Sequence, residues 1–346
     1  MRAAIVIEPG KLVVNEVPRP GCGEFDMVLR LHRASICATD LMHYEASLPC
    51  PPYPFILGHE CSGDVVEKGD KVRTFEIGDR VTFWGAGDFG GFAEYRTIRS
   101  GPRELFKSGD GFYYDRSQAV IKLDDSVSYE EGAILEVLCS AMRTVSTSGL
   151  KPADKVVVIG LGAGGLMLLQ LAKSFGARAA IGIDLEDFRL RMAGELGADA
   201  VYNNSRSDGE HIKEDILGRF GEVDMVFDAL GNELSEVPAR NLGLELLRPY
   251  GRYTVYGTPS TDQRIDVSLI TSKGIQTTGA TFDARYFSMD KTQDLLELSQ
   301  QLVVDRSVKV KPLITRHMPL ERTEDALKLF KERKNEVIRI VIDIVP

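Results

Sequence analysis

The stretch Lys155-Val156-Val157-Val158-Ile159-Gly160-Leu161-Gly162-Ala163-Gly164-Gly165 decides the fold of this chain. Val156 to Ile159 are four consecutive β-branched residues, the mark of a strand buried on both faces. After the glycines comes a helical run, Leu166-Met167-Leu168-Leu169-Gln170-Leu171-Ala172-Lys173. A G-x-G-x-x-G turn between strand and helix suits a dinucleotide pyrophosphate. Gly160 permits the tight turn, Gly162 lets the backbone approach the phosphates, and Gly165 lets the helix pack closely on the strand. Gly164 and Leu166, at the helix start, complete the predicted phosphate-binding segment.

Toward the C-terminus, Asp184 ends a predicted strand, Ala179 to Asp184, 19 residues after Gly165. An acidic side chain there accepts hydrogen bonds from the adenosine ribose and repels a 2′-phosphate, which predicts NAD rather than NADP. Arg189 and Arg191 nearby leave room for use of both. Further strands at Ala200 to Tyr202, Asp224 to Asp228, Arg252 to Tyr256 and Ile275 to Thr278 bring the total to about six, as in a complete doubly wound fold. A helix at Glu324 to Phe330 and a strand at Val337 to Ile344 close the sequence. That strand either extends the parallel sheet or returns to an earlier domain, and periodicity does not decide.

Toward the N-terminus the texture changes. Met27, Leu29 and Leu31 alternate with polar neighbours, the period of a half-buried strand. Similar runs at Gly63 to Val66, Asp79 to Phe83 and Phe92 to Tyr95 predict an antiparallel, barrel-like β domain. At 346 residues the chain exceeds the size at which one core keeps growing, so two domains are expected.

With 43% hydrophobic and 27% charged residues, the composition is that of a soluble globular protein. Its 51 acidic and 42 basic side chains give a net charge of −9, which argues against nucleic acid as a partner. Five cysteines, at positions 22, 37, 50, 61 and 139, are odd in number and irregularly spaced, so a reducing, cytoplasmic setting is expected. The opening Ala3-Ala4-Ile5-Val6-Ile7 is too short for a signal segment. No run approaches the roughly 18 apolar residues of a membrane span, so no membrane partner is expected.

A second constellation lies in the N-terminal half, where His59, in Gly58-His59-Glu60, stands 22 residues after Cys37. A thiolate, an imidazole and a carboxylate are ligand types that zinc accepts, and three ligands from two loops fit a catalytic ion with a position open for substrate. His59 and Glu60 are neighbours and diverge unless a turn aims both inward, a turn that Gly58 permits. Asp40 is suited to orient His59 through its second ring nitrogen. Glu136 is a carboxylate within the apolar run Gly132 to Leu138, and burying it calls for a partner that a cation would supply. With the glycine turn, these residues predict metal-assisted hydride transfer.

The chain resembles the zinc-dependent medium-chain alcohol dehydrogenase superfamily over essentially its whole length. The marks are Cys37-Ala38-Thr39-Asp40, Gly58-His59-Glu60 with Gly63, Gly78-Asp79-Arg80-Val81, Glu131-Gly132-Ala133, the glycine turn, Asp184 and Val337 to Ile344. Glu136, 24 residues before Gly160, aligns it with the polyol branch of sorbitol and threonine dehydrogenases, where classical alcohol dehydrogenases have Cys. The resemblance implies an α/β protein with a GroES-like β-barrel catalytic domain (1–136 and 286–346) and a Rossmann doubly wound parallel-sheet domain (137–285).

It also implies zinc ligands at Cys37, His59 and Glu60, with Glu136 binding zinc directly or through its water. Thr39 becomes the hydroxyl that takes the alcohol proton, Asp40 the partner behind His59, and Arg339 a cofactor phosphate contact. Ala229-Leu230, Tyr256-Gly257 and Gly279-Ala280-Thr281 border the nicotinamide half. The family's four-cysteine structural zinc lobe falls at Asp88 to Gln118, where this chain has no cysteine, so one catalytic zinc and no structural zinc are expected. The relay histidine of the family falls at Met42, leaving His43 as either a relay or an exposed surface histidine. Val137 stands after Glu136 where Pro is frequent.

The implied activity is hydride transfer between a small-molecule secondary alcohol, polyol or sugar and NAD, by a homo-oligomer, dimer or tetramer. Alternatives are a metal-free quinone or enoyl reductase on the same fold, which has no need of the Cys, His and Glu set, and a non-catalytic member of the fold. Tyr44, Trp84, Phe89, Phe92 and Phe282 are either pocket or core. Phe112-Tyr113-Tyr114 is either a subunit contact or a substrate loop.

Overall fold

A computed structural model of the chain describes residues 1–85, 89–99, 118–231, 237–257, 264–280, 287–332 and 336–345. In the N-terminal region the alternating runs become β1 (Arg2–Glu8), β2 (Lys11–Glu16), β3 (Asp26–Ser35), β4 (Phe55–Ile56), β5 (Glu60–Lys68), β6 (Arg80–Trp84), β7 (Tyr95–Arg99) and β8 (Ala119–Lys122). A short helix, α1 (Ala38–Tyr44), follows β3 directly. Met27, Leu29 and Leu31 are fully buried and Arg30 is exposed, as the alternation requires. β3 is the hub, pairing antiparallel with both β5 and β7.

One expected strand is displaced. Phe92 to Tyr95 does not form a continuous strand, and β7 begins only at Tyr95. The backbone groups just before it are engaged elsewhere: Gly91 N–H donates to Gly58 C=O and Phe92 N–H to Leu57 C=O, both at 2.8 Å. The segment thus fastens the turn that precedes His59.

Helix α2 (Tyr129–Ser148) leads to the alternating elements β9 (Lys155–Ile159), α3 (Ala163–Ser174), β10 (Ala179–Asp184), α4 (Asp187–Glu195), β11 (Ala200–Asn203), α5 (Gly209–Phe220), β12 (Val223–Asp228), α6 (Val237–Leu246), β13 (Leu247–Val255), α7 (Val267–Lys273) and β14 (Gln276–Gly279). The six strands form one parallel sheet in the order β11-β10-β9-β12-β13-β14, the doubly wound dinucleotide-binding order. Val156, Val157 and Val158 are fully buried at its centre. Their valine-rich run needed both faces covered.

The chain ends with α8 (Met289–Val304), β15 (Ile314–Pro319), α9 (Thr323–Glu332) and β16 (Arg339–Asp343). β16 runs antiparallel to the end of β3, with Val341 opposite Ser35, and parallel to β15. The terminal strand therefore returns to the N-terminal β domain, the choice periodicity had left open. The resulting seven-stranded sheet has the order β15-β16-β3-β5-β6-β8, with β7 also on β3.

Packing divides the chain into two units. The first is Met1–Cys139 with Phe282–Arg306 and Val310–Pro346, and the second is Ser140–Thr281 with Ser307–Lys309. The short return segment is held by α3: Gln170 accepts from Lys309 N–H at 2.8 Å and donates to Lys309 C=O at 3.2 Å. Thr281, Phe282 and Phe112-Tyr113-Tyr114 lie outside the described residues. No helix among the described residues is long and apolar enough to cross a membrane.

Candidate active site

In the first unit, Cys37 sits between the end of β3 and the first turn of α1, half-buried and not in a disulfide. Asp40, three residues on and 1% exposed, accepts Cys37 N–H at 2.9 Å through Oδ2. Its Oδ1 lies 3.1 Å from His59 Nδ1. One buried carboxylate thereby fixes the backbone at the cysteine and the ring of the histidine. With Nδ1 held by Asp40, Nε2 is the ring nitrogen left to serve as a ligand.

Gly58 has φ +94, and a Cβ there would fall 2.7 Å from Phe92 N. Only glycine satisfies both constraints, and this turn delivers His59 and Glu60 to the same place. One ligand atom each from Cys37, His59 and Glu60 lies within 4.8 Å of the others. Burial disfavours charge on His59, but Asp40 and then Cys37 outweigh it and raise its pKa well above the usual value.

Glu60 opens β5 and is fully buried. Its Oε2 forms an ion pair with Arg339 Nη1 at 3.1 Å, but neither Oε1 nor Oε2 has a hydrogen-bond partner among the described residues. A buried carboxylate oxygen left in this state is costly unless a cation takes it up. Sulfur, nitrogen and oxygen donors converging beside it fit zinc.

The other residues of this unit are placed as follows. Arg339, expected at a cofactor phosphate, is 4% exposed at the start of β16, and its Nη1 also donates to Ile36 C=O at 2.6 Å. Thr39 Oγ1 lies 3.4 Å from His59 Nε2. Glu136 is buried in α2 and does not join the three-residue cluster. His43 is not a surface histidine: it is 4% exposed and meets the Phe89 ring edge-on at 5.0 Å. Burial lowers its pKa to about 4, with nearby His59 adding and Asp40 opposing, so it is neutral at pH 7. Trp84 and Phe92 are core residues, Tyr44 is buried, and Phe89 is half-buried beside His43.

In the second unit the glycine turn lies at the carboxyl edge of the parallel sheet. Gly160 has φ +88, and a Cβ on it would stand 2.7 Å from Ala229 O. A Cβ on Gly165 would be 1.8 Å from Gly160 O, and one on Gly164 2.2 Å from the Tyr256 ring. At Gly162, by contrast, a Cβ would meet nothing within 4 Å. Gly162 is also the N-cap of α3, so the open space faces a helix N-terminus, where an anion is favoured. Leu166 is fully buried and its N–H donates to Gly162 C=O at 2.9 Å.

Asp184 ends β10, adjacent to the turn, and accepts Leu161 N–H at 2.6 Å through Oδ2 and Leu185 N–H at 2.8 Å through Oδ1. Arg189 Nη1 approaches Oδ2 to 3.7 Å. Ala229 follows β12, Tyr256 follows β13, and Gly279 ends β14, so all three stand at the same sheet edge. Sequence reasoning missed the packing of Tyr256 on Gly164. It also missed Arg240, a cation on α6 that reaches Asp228 at 3.0 Å. The available signal was an arginine among the apolar residues of Val237 to Leu246.

Two family models match the chain: the alcohol dehydrogenase GroES-like domain over residues 23–107 and the zinc-binding dehydrogenase over residues 163–301. It is 30% identical to an L-threonine 3-dehydrogenase of Paraburkholderia xenovorans, covering 94% of each protein. The chain belongs to the zinc-dependent medium-chain alcohol dehydrogenase superfamily. A sorbitol dehydrogenase of Bacillus subtilis is 28% identical over 99% of this chain and 97% of its own length, which puts the chain near the polyol branch. Among solved structures, galactitol-1-phosphate dehydrogenase from Escherichia coli shares the fold with a TM-score of 0.82 at 20% identity, covering 99% of this chain and 100% of the other. By family, then, the chain is an alcohol or polyol oxidoreductase.

Proposed function

We propose that the chain oxidises a secondary alcohol, polyol or sugar with NAD, using one catalytic zinc held by Cys37, His59 and Glu60 and no structural zinc. The reading rests on one observation: thiol, imidazole and carboxylate converge within 4.8 Å around a buried, unsatisfied carboxylate oxygen. Sorbitol and threonine dehydrogenases, the relatives by sequence, are named for substrates of this class. A zinc ion there supplies the Lewis acidity that brings an alcohol pKa toward neutrality, and NAD supplies the hydride acceptor.

The chain's own groups do the rest. Asp40 keeps His59 in the tautomer that leaves Nε2 available. Thr39 accepts the hydroxyl proton as the carbinol C–H leaves as hydride, giving the carbonyl product. His43, neutral at pH 7, carries that proton onward. Glu136, buried in α2, binds the zinc directly or through its water. In the second unit, Gly160, Gly162 and the start of α3 receive the pyrophosphate, and Asp184 receives the adenosine ribose, which favours NAD.

Five free cysteines favour a reducing compartment, the cytoplasm. All four residues of the edge strand β14 are exposed, which favours a homo-oligomer formed by strand addition. The test is metal analysis of the purified chain together with an alcohol panel followed by NADH absorbance. About one zinc per chain with NAD-linked oxidation is expected. Activity that persists unchanged without zinc overturns the assignment in favour of a metal-free reductase.

A further inference from the structure

A buried polar network at the carboxyl end of β12 has no part in the chemistry above. Asp228 is 1% exposed, Arg240 4%, and Tyr253 is wholly buried. Asp228 Oδ2 accepts Arg240 Nε and the Tyr253 hydroxyl, both at 3.0 Å. Its Oδ1 accepts the N–H of Leu230 at 3.1 Å, while Arg240 Nη2 donates to the C=O of Gly231 at 2.8 Å. The segment after the strand is therefore fastened twice, once by its amide and once by its carbonyl. Burial and then Asp228 push the Tyr253 pKa well up, so the hydroxyl stays a donor.

Stability alone is a poor account of such a network, because desolvating two charges offsets much of their attraction. What the network does fix is a backbone segment in contact with the glycine turn. A Cβ on Gly160 would strike Ala229 O at 2.7 Å, and one on Gly165 would touch Ala229 Cβ at 3.5 Å. Sheet order sets β10 on one side of β9 and β12 on the other. With the pyrophosphate at the turn after β9 and the adenosine ribose at the end of β10, the nicotinamide half extends over β12.

We infer that Asp228, Arg240 and Tyr253 are positioning residues that hold Ala229 to Gly231 against the glycine turn and so set affinity for the nicotinamide half of the dinucleotide. The inference rests on the NAD reading above. It is tested on the full chain by NADH fluorescence titration, AMP calorimetry and ligand-free melting, for the parent, Arg240→Lys and Tyr253→Phe. Lysine cannot serve Asp228 and Gly231 together, so the Kd for NADH rises about tenfold, while Tyr253→Phe raises it about threefold. AMP, which carries only the adenosine half, binds both variants within about twofold of the parent.

A purely structural network predicts lower melting temperatures with NADH and AMP affinities unchanged, or weakened equally, and either result overturns the inference. A parent chain that fails to bind NADH overturns the NAD reading, and the inference with it. A parent that binds NADH as tightly as both variants overturns the inference alone. Should Arg240→Lys not fold, Tyr253→Phe removes a single oxygen and decides the matter.

Discussion

The second unit makes its glycine turn by omitting side chains, whereas the first makes its cluster of Cys37, His59 and Glu60 by assembling them. At Gly160, Gly164 and Gly165 an added Cβ would come within 2.7 Å of Ala229 O, 2.2 Å of Tyr256 and 1.8 Å of Gly160 O. In the first unit the working atoms belong to Cys37, His59 and Glu60, with Asp40 and Arg339 holding them from behind. One site is limited by space and the other by donors. Substitutions should therefore fail in different ways: by unfolding or blocking in the second unit, by loss of metal and turnover in the first.

The largest effect is expected at His59. His59→Ala removes the nitrogen ligand and should lower kcat/KM by about 10³-fold or more, roughly 4 kcal/mol of transition-state stabilisation, with loss of bound zinc. NADH binding, which the proposed function assigns to the second unit, should stay within about twofold. Parallel steady-state kinetics, metal analysis and NADH titration check this. Loss of NADH binding along with zinc would break the division of labour between the units.

The contrast also explains what the sequence revealed. The strand Lys155–Ile159, the turn and α3 are contiguous, and their order alone carries the reading. Each side of the metal cluster was visible as a motif, and its closure was expected from the ligand types; what the sequence did not show is the register that achieves it, β3 lying against β5 with Ser35 opposite Glu60. Arg339 was assigned from resemblance to a phosphate. Its contact with Glu60 arises because β16 returns to β3, a pairing that strand periodicity does not encode. The displaced start of β7 has the same origin, in hydrogen bonds from Gly91 and Phe92 to the turn before His59. Arg240 with Asp228 went unread because a lone cation on a helix looks solvated until the strand end beneath it is known.

Next in size is Gly165→Ala. Its Cβ would sit 1.8 Å from a backbone oxygen that cannot swing aside, so α3 must move off β9. A loss of about 3 kcal/mol in denaturant unfolding is expected, the upper range of overpacking. Unchanged stability would mean that the turn is plastic, and the space-limited account of the second unit would fail.

A smaller effect, confined to the first unit, depends on pH. His43 keeps its proton off until about pH 4, while the unfolded chain takes one up near 6.5. Over that window the unfolded state binds more protons, so the His43 contribution destabilises the fold as pH falls, by about 2 kcal/mol at pH 5. In the zinc-loaded protein, His43→Gln should lose less stability than the parent between pH 7 and pH 5. Identical acid slopes would show that the ring beside Phe89 is open to water.

The smallest effect belongs to Gly162→Ala, the counterpart of Gly165→Ala three residues away. Gly162 has φ −66 and ψ −174, which alanine adopts freely, and the new methyl would meet nothing within 4 Å. Stability should fall by less than about 1 kcal/mol, the scale of exchanging a glycine N-cap for alanine. The methyl would instead occupy the space in front of the α3 N-terminus, and NADH affinity should weaken about tenfold. Measured together, the two variants test one idea: Gly165 is required by the protein's own backbone and Gly162 by the ligand. If Gly162→Ala binds NADH as tightly as the parent, the open space at Gly162 is not where the pyrophosphate lies.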